Sequence, residues 1–142
     1  MNANQDSISN DTWTTVQYNT EHFDTDSAFD TSNYRFTVPS GKAGKYFVQW
    51  SIHIGGIGDN NTQRMHSKLL KNGATLIYGL NQDLTSDADA INHNTAHSSG
   101  IVDLAVGDYL TVQGLQHFQN VSSGRFMGGS DATTRFCGFK LL

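Results

Sequence analysis

Residues 45–54, KYFVQWSIHI, place Tyr46, Val48, Trp50, Ile52 and Ile54 on one side of an extended chain. Phe47, Gln49, Ser51 and His53 fall on the other side. This period of two is the signature of a β-strand with one buried face, and a helix would need apolar residues every three to four positions. A strand this apolar belongs in the middle of a sheet, so the rest of the chain must supply strands on either side of it.

Several segments meet that need. Asn72-Gly73, inside MHSKLLKNGATLIYGL, supplies the positive φ angles of a tight hairpin between two strands. In SGIVDLAVGDYLTVQGLQHF, Gly107-Asp108 separates two further strands, the second alternating Leu110 and Val112 with Tyr109 and Thr111. WTTVQY, YRFTV and the terminal RFCGFKLL read as additional strands. The single proline, Pro39, lacks an N–H and stops the YRFTV strand, which is expected at a sheet edge. No amphipathic helix is present in the pattern. An all-β sandwich, jelly roll or barrel of about 8–10 antiparallel strands follows. With 142 residues there is room for one domain, expected over 13–142.

Composition narrows the function. The chain carries 9 Lys and Arg against 13 Asp and Glu, with no basic block, which argues against binding nucleic acid through phosphates. No apolar run approaches the ~20 residues of a membrane-spanning helix. The start, MNANQDSISNDTW, has neither the basic nor the apolar region of a signal peptide, so the chain is expected to be soluble and unexported. Residues 1–12 are polar and aperiodic, and are expected to form an extended arm held by a neighbouring chain through Asn2, Gln5, Ile8 and Trp13. Loops are expected at 55–64, 81–95 and 119–132.

Catalytic patterns are lacking. There is no Gly-x-Ser-x-Gly elbow, no His-Glu-x-x-His and no glycine-rich loop opening a helix, so an enzyme and a cofactor are not expected. The six histidines (His22, His53, His66, His93, His97 and His117) are scattered, with His93 and His97 expected in a loop. Cys137 alternates within an apolar strand and is expected to be a buried thiol. Asp24, Asp26 and Asp30 are the weak candidates for calcium, which takes oxygen ligands, and the same residues cap turns. Asp83, Asp87 and Asp89 form a second acidic stretch with the same two readings.

Four motifs in order carry a family resemblance. Phe36-x-x-Pro39 followed by Gly44-x-Tyr46 resembles the Phe-x-x-Pro-x-x-Gly-x-Tyr run of C1q globular domains, with two further residues after the proline. LLKNG (69–73), VDLAVGDYLTV (102–112) and FCGFKLL (136–142) resemble that family's later hairpin, turn and terminal strand. FDTDSAFDTSNYRF (23–36) is similar to the corresponding stretch of phage and bacterial members. The resemblance to the C1q and tumour necrosis factor-like superfamily implies a jelly-roll homotrimer without enzymatic activity. Tyr46, Trp50, Phe118, Phe136 and Phe139 would then divide between the core and a threefold interface. The expected setting is a bacteriophage virion: a trimeric capsid decoration (cement) or head-fibre protein bound to the major capsid protein or another virion protein. The alternatives are a tail-fibre tip binding a host surface glycan through its loops, and a secreted C1q-like lectin.

Overall fold

A computed structural model of the chain describes residues 1–56, 61–84, 91–129 and 133–141. Among these residues there is no helix, and eleven strands follow in order. They are β1 (Gln5–Ser9), β2 (Thr14–Thr15), β3 (Phe29–Asp30), β4 (Arg35–Thr37), β5 (Gly44–Gly55) and β6 (Thr62–Lys71). After these come β7 (Ala74–Asp83), β8 (His93–Leu104), β9 (Tyr109–Phe118), β10 (Ser123–Phe126) and β11 (Arg135–Lys140). All pairings are antiparallel and build two sheets packed as a sandwich. The five-stranded sheet runs β1-β10-β5-β11, with β8 on the other side of β5. The six-stranded sheet runs β3-β4-β9-β6-β7, with β2 also on β9.

The alternation in β5 does what its period requires. Tyr46, Val48, Trp50, Ile52 and Ile54 are buried, while Phe47, Gln49, Ser51 and His53 between them are partly exposed. Trp50 and Ile52 are 0% exposed, and they share one core cluster with Met65, Leu69, Leu110 and Val112 of the facing sheet. Burial of side chains this size is worth about 1.5–3 kcal/mol each, so this layer is the main source of cohesion. The Trp50 indole also donates to Ser67 Oγ at 3.2 Å, which satisfies its one polar atom. Gly79 of β7 lies over that indole. A Cβ there would come within 2.9 Å of the Trp50 ring and would also strike the Ser67 and Ser98 hydroxyls.

Turn chemistry sets the register. Asn72 and Gly73 have φ of 52° and 81°, the two positive angles of a hairpin turn, and connect β6 to β7 within one sheet. Gly107 also has positive φ, at 83°, but its turn carries the chain from β8 in one sheet to β9 in the other. Asp108 holds that turn: its carboxylate accepts from Ala105 N and Asn72 Nδ2, each at 2.7 Å, and pairs with Lys71 at 2.7 Å. These contacts favour the ionised form and bring its pKa down to about 2.

Several expectations are corrected. Residues 1–12, expected to extend as an arm held by a neighbouring chain, instead contribute a strand to the protomer's own sheet. Here β1 pairs with β10, Ile8 is 3% exposed inside the core, and the buried Gln116 amide donates to Ile8 O at 2.8 Å. Met1 is buried as well. Pro39 does follow β4, but β4 lies between β3 and β9 rather than at the edge. The proline instead starts the crossover to β5, with Lys42 N donating to Pro39 O and Gly41 at φ 75°. The expected loop at 81–95 is largely strand, because β7 runs to Asp83 and β8 begins at His93. Likewise, β6 begins at Thr62 and β10 occupies Ser123–Phe126. Residues 119–122 and 127–129 lie outside any strand, as expected, and 57–60, 85–90 and 130–132 lie outside the described residues.

Candidate interaction faces

Strand parity decides which side chains leave the sandwich. On the five-stranded sheet, Phe47 is paired with Ile101 of β8 on one side and Phe139 of β11 on the other. All three point away from the core. Ile101 is 63% exposed and Phe139 61%, and the Phe47 and Phe139 rings lie 5.4 Å apart. The next outward row is Ser99, Gln49 and Cys137, and the one after it is His97, Ser51 and Arg135. Beyond these, His53 pairs with Thr95 and Gly55 with His93.

Among the described residues this face is poor in acidic groups. Its carboxylates are Asp103, opposite Lys45 at the apolar end, and Asp6, paired with Arg125 at 3.1 Å near the other end. Small residues (Ser51, Ser99, Thr95) occupy much of the middle. Gln49 Nε2 lies 2.6 Å from His97 Nε2, and the His53 and His93 rings meet edge-on at 5.8 Å. Burial, reinforced by the neighbouring His93, holds the His53 pKa below the ordinary histidine value. A contiguous apolar row flanked by small neutral side chains is suited to close packing against another protein surface.

The six-stranded sheet presents a different outer face. Trp13 lies across it with its ring under Lys68 Nζ at 4.1 Å, and its centroid is 6.3 Å from His66 and 6.4 Å from Tyr78. Beside it, Arg64 bridges Asp11 and Asp83, the latter at 2.7 Å, and His117 Nδ1 lies 2.6 Å from Asp11. Those contacts lower the pKa of both carboxylates, His117 contributing most at Asp11 and Arg64 at Asp83.

The residues singled out by sequence therefore scatter. Ile8 faces its own core, and Trp13 packs on its own sheet rather than anchoring an arm to a neighbour. Gln5 is spent within the chain, donating to Thr15 O and accepting from Gln17 N, and the exposed Asn2 donates its N–H to Asn19. Tyr46, Trp50 and Phe118 are core residues. Phe136 is partly buried against Tyr18 and Phe29, and of the five aromatics Phe139 alone is largely exposed. Cys137 is exposed rather than buried, because in β11 the inward positions go to Phe136 and Gly138.

Asp24, Asp26 and Asp30 do not converge. Asp24 accepts from Asp26 N and Phe29 N, Asp26 pairs with Lys42 at 3.1 Å, and Asp30 accepts from Ser32 N and Asn33 N. Each is engaged in its own turn, and no group of three or more His, Cys, Asp or Glu able to hold a metal occurs among the described residues. Asp87 and Asp89 lie outside those residues. The feature that sequence reading missed is the apolar row, and strand parity was its signal: Phe47 opposes the core residues of β5.

No protein-family model matches the chain, and no curated protein matches it.

Proposed function

We propose that the chain is a non-enzymatic jelly-roll module of a virion that self-associates as a trimer through the outer face of the five-stranded sheet. The observation that carries this reading is the row Ile101–Phe47–Phe139, whose two ends are exposed in the protomer and which continues into a surface poor in acidic groups among the described residues. Burying it in a threefold assembly removes three large apolar side chains per protomer from water. The strand order supports the jelly-roll winding. The connections β4–β5, β5–β6, β7–β8, β8–β9 and β9–β10 each pass from one sheet to the other.

The virion setting, as a capsid decoration or head-fibre protein bound to the major capsid protein, rests on the likeness of residues 23–36 to phage-type C1q domains. Capsid contact then belongs to surfaces left outside the trimer rather than to Ile8 and Trp13, which are engaged within the protomer.

Sedimentation equilibrium at micromolar concentration tests the association. The expected result is three times the protomer mass, reduced to the protomer by Phe139→Asp or Ile101→Asp with the circular dichroism spectrum unchanged. Cys137 offers a second readout. Its thiol lies on the same face, so alkylation should be slow in the assembly and fast in either variant. A wild-type monomer, or a trimer indifferent to both aspartates, removes this reading.

A further inference from the structure

The outer face of the six-stranded sheet carries exposed aromatic surface ringed by polar groups with spare bonding capacity. Tyr78 is 61% exposed. Its cross-strand neighbour is Lys68, and Lys68 is followed by Gln113 on β9. The adjacent row begins with Asn81 and His66. Trp13 crosses both rows, in ring contact with Tyr78 and His66. Among the described residues, the Asn81 and Gln113 amides and the Tyr78 hydroxyl have no hydrogen-bond partner, and the Lys68 ammonium meets only the Trp13 ring.

We infer that this surface is a carbohydrate-binding subsite, with Tyr78 as the stacking platform for a pyranose. A pyranose has one face of C–H bonds and a rim of hydroxyls that both donate and accept. It needs a flat aromatic ring beside several uncommitted donors and acceptors, which is the inventory around Tyr78. Tyrosine and tryptophan suit the role because their rings are rigid and carry a polar tip. Lys68 pairs with Tyr78, Gln113 lies beyond it on β9, and Asn81 and His66 form the adjacent row, so their polar groups lie on the same face to take the hydroxyls. A protein partner fits less well, since the exposed apolar surface here amounts to Tyr78 and the partly exposed Leu76 on the same strand. A standard interface buries about 800 Å² on each side with an apolar centre. The subsite lies on the opposite side of the sandwich from the apolar row, so it holds whether or not the chain associates through that row.

The two tryptophans make the test direct. Trp50 is fully buried, so a ligand at the surface reports through Trp13. Methyl glycosides of glucose, galactose, mannose and N-acetylglucosamine are titrated into the intact protein. Tryptophan emission and saturation-transfer difference NMR are both recorded. At least one glycoside is expected to shift the emission saturably, with transfer strongest at the ring C–H protons. Tyr78→Ala should weaken that binding about tenfold, as loss of one stacking contact does, while the unfolding transition stays in place. Absence of a response to all four glycosides overturns the inference, as does equal binding by Tyr78→Ala. An emission shift that follows protein concentration without sugar also overturns it, because the surface is then a contact between copies.

Discussion

Ile8→Ala distinguishes a built-in first strand from a loose arm. Ile8 is 3% exposed and packs in the core cluster with Met1 and Phe126 among its members. Alanine removes three carbon groups. At about 0.8 kcal/mol each, the lost transfer energy is about 2.4 kcal/mol. A residual cavity adds to this, as in other isoleucine truncations costing about 2–5 kcal/mol, but β1 has a partner on one side only and can relax inward. A loss of about 2–3 kcal/mol is expected. For a domain of this size, that lowers the thermal midpoint by about 7–10 °C. In urea, the midpoint falls by roughly 1 M if the slope is about 2–3 kcal/mol per M. Ile8→Val should cost about 1 kcal/mol, giving a graded series. Asp6→Ala, in the same strand but at an exposed ion pair, should stay within about 1 kcal/mol of wild type. The assay is urea unfolding followed by tryptophan emission at several protein concentrations, which separates unfolding from dissociation. A loss below about 0.5 kcal/mol for Ile8→Ala would refute the reasoning. The first nine residues would then contribute nothing to the sandwich, as a free arm would.

Three other outcomes follow from the geometry. Gly79→Ala should destabilise by about 1–3 kcal/mol, read in the same urea assay, because its methyl collides with the Trp50 ring and two hydroxyls. Asp108 has a folded pKa brought down to about 2, below its unfolded value. Its stabilisation is therefore complete above the unfolded carboxylate range and drains away as pH falls from about 4 towards about 2, and Asp108→Asn should flatten that part of the pH–stability curve. His53 has a folded pKa below its unfolded one, so its neutral form is the one the fold favours. Stability is then full above the ordinary histidine value of about 6.5 and declines as pH drops below it, and a His53→Gln variant should show a shallower decline in thermal midpoint.

The parts legible in the sequence are those whose information is local. The β5 alternation and the Asn72-Gly73 turn need nothing beyond their own residues, and both are as read. Strand β1 was not legible because in QDSIS only Ile8 is apolar, and its partner β10 lies more than a hundred residues away. Nor was the first half of β8. HNTAHSSG is polar because Ser98 serves the interior through a hydrogen bond from Leu80 N, not through apolar contact. For Cys137, an apolar setting suggested burial, but parity in β11 sends it outward, and parity is fixed only by pairing with β5. The aromatic platform was illegible for the same reason, since Trp13 and Tyr78 are brought together by the sheet alone.

The pairing of β5 has a consequence for how the protein is made. Tyr46–Ser51 is bonded to β11, residues 135–140, so a growing chain offers the ribosome exit its most apolar strand long before that partner exists. Until then the strand has an open edge beside Trp50 and Ile52, a template for pairing with other nascent chains. Closure of the sandwich therefore waits until β11 has left the ribosome, and is paced by long-range encounters. Expression at lower temperature, or with holdase chaperones, should therefore raise the soluble yield more than any change to the mature surface.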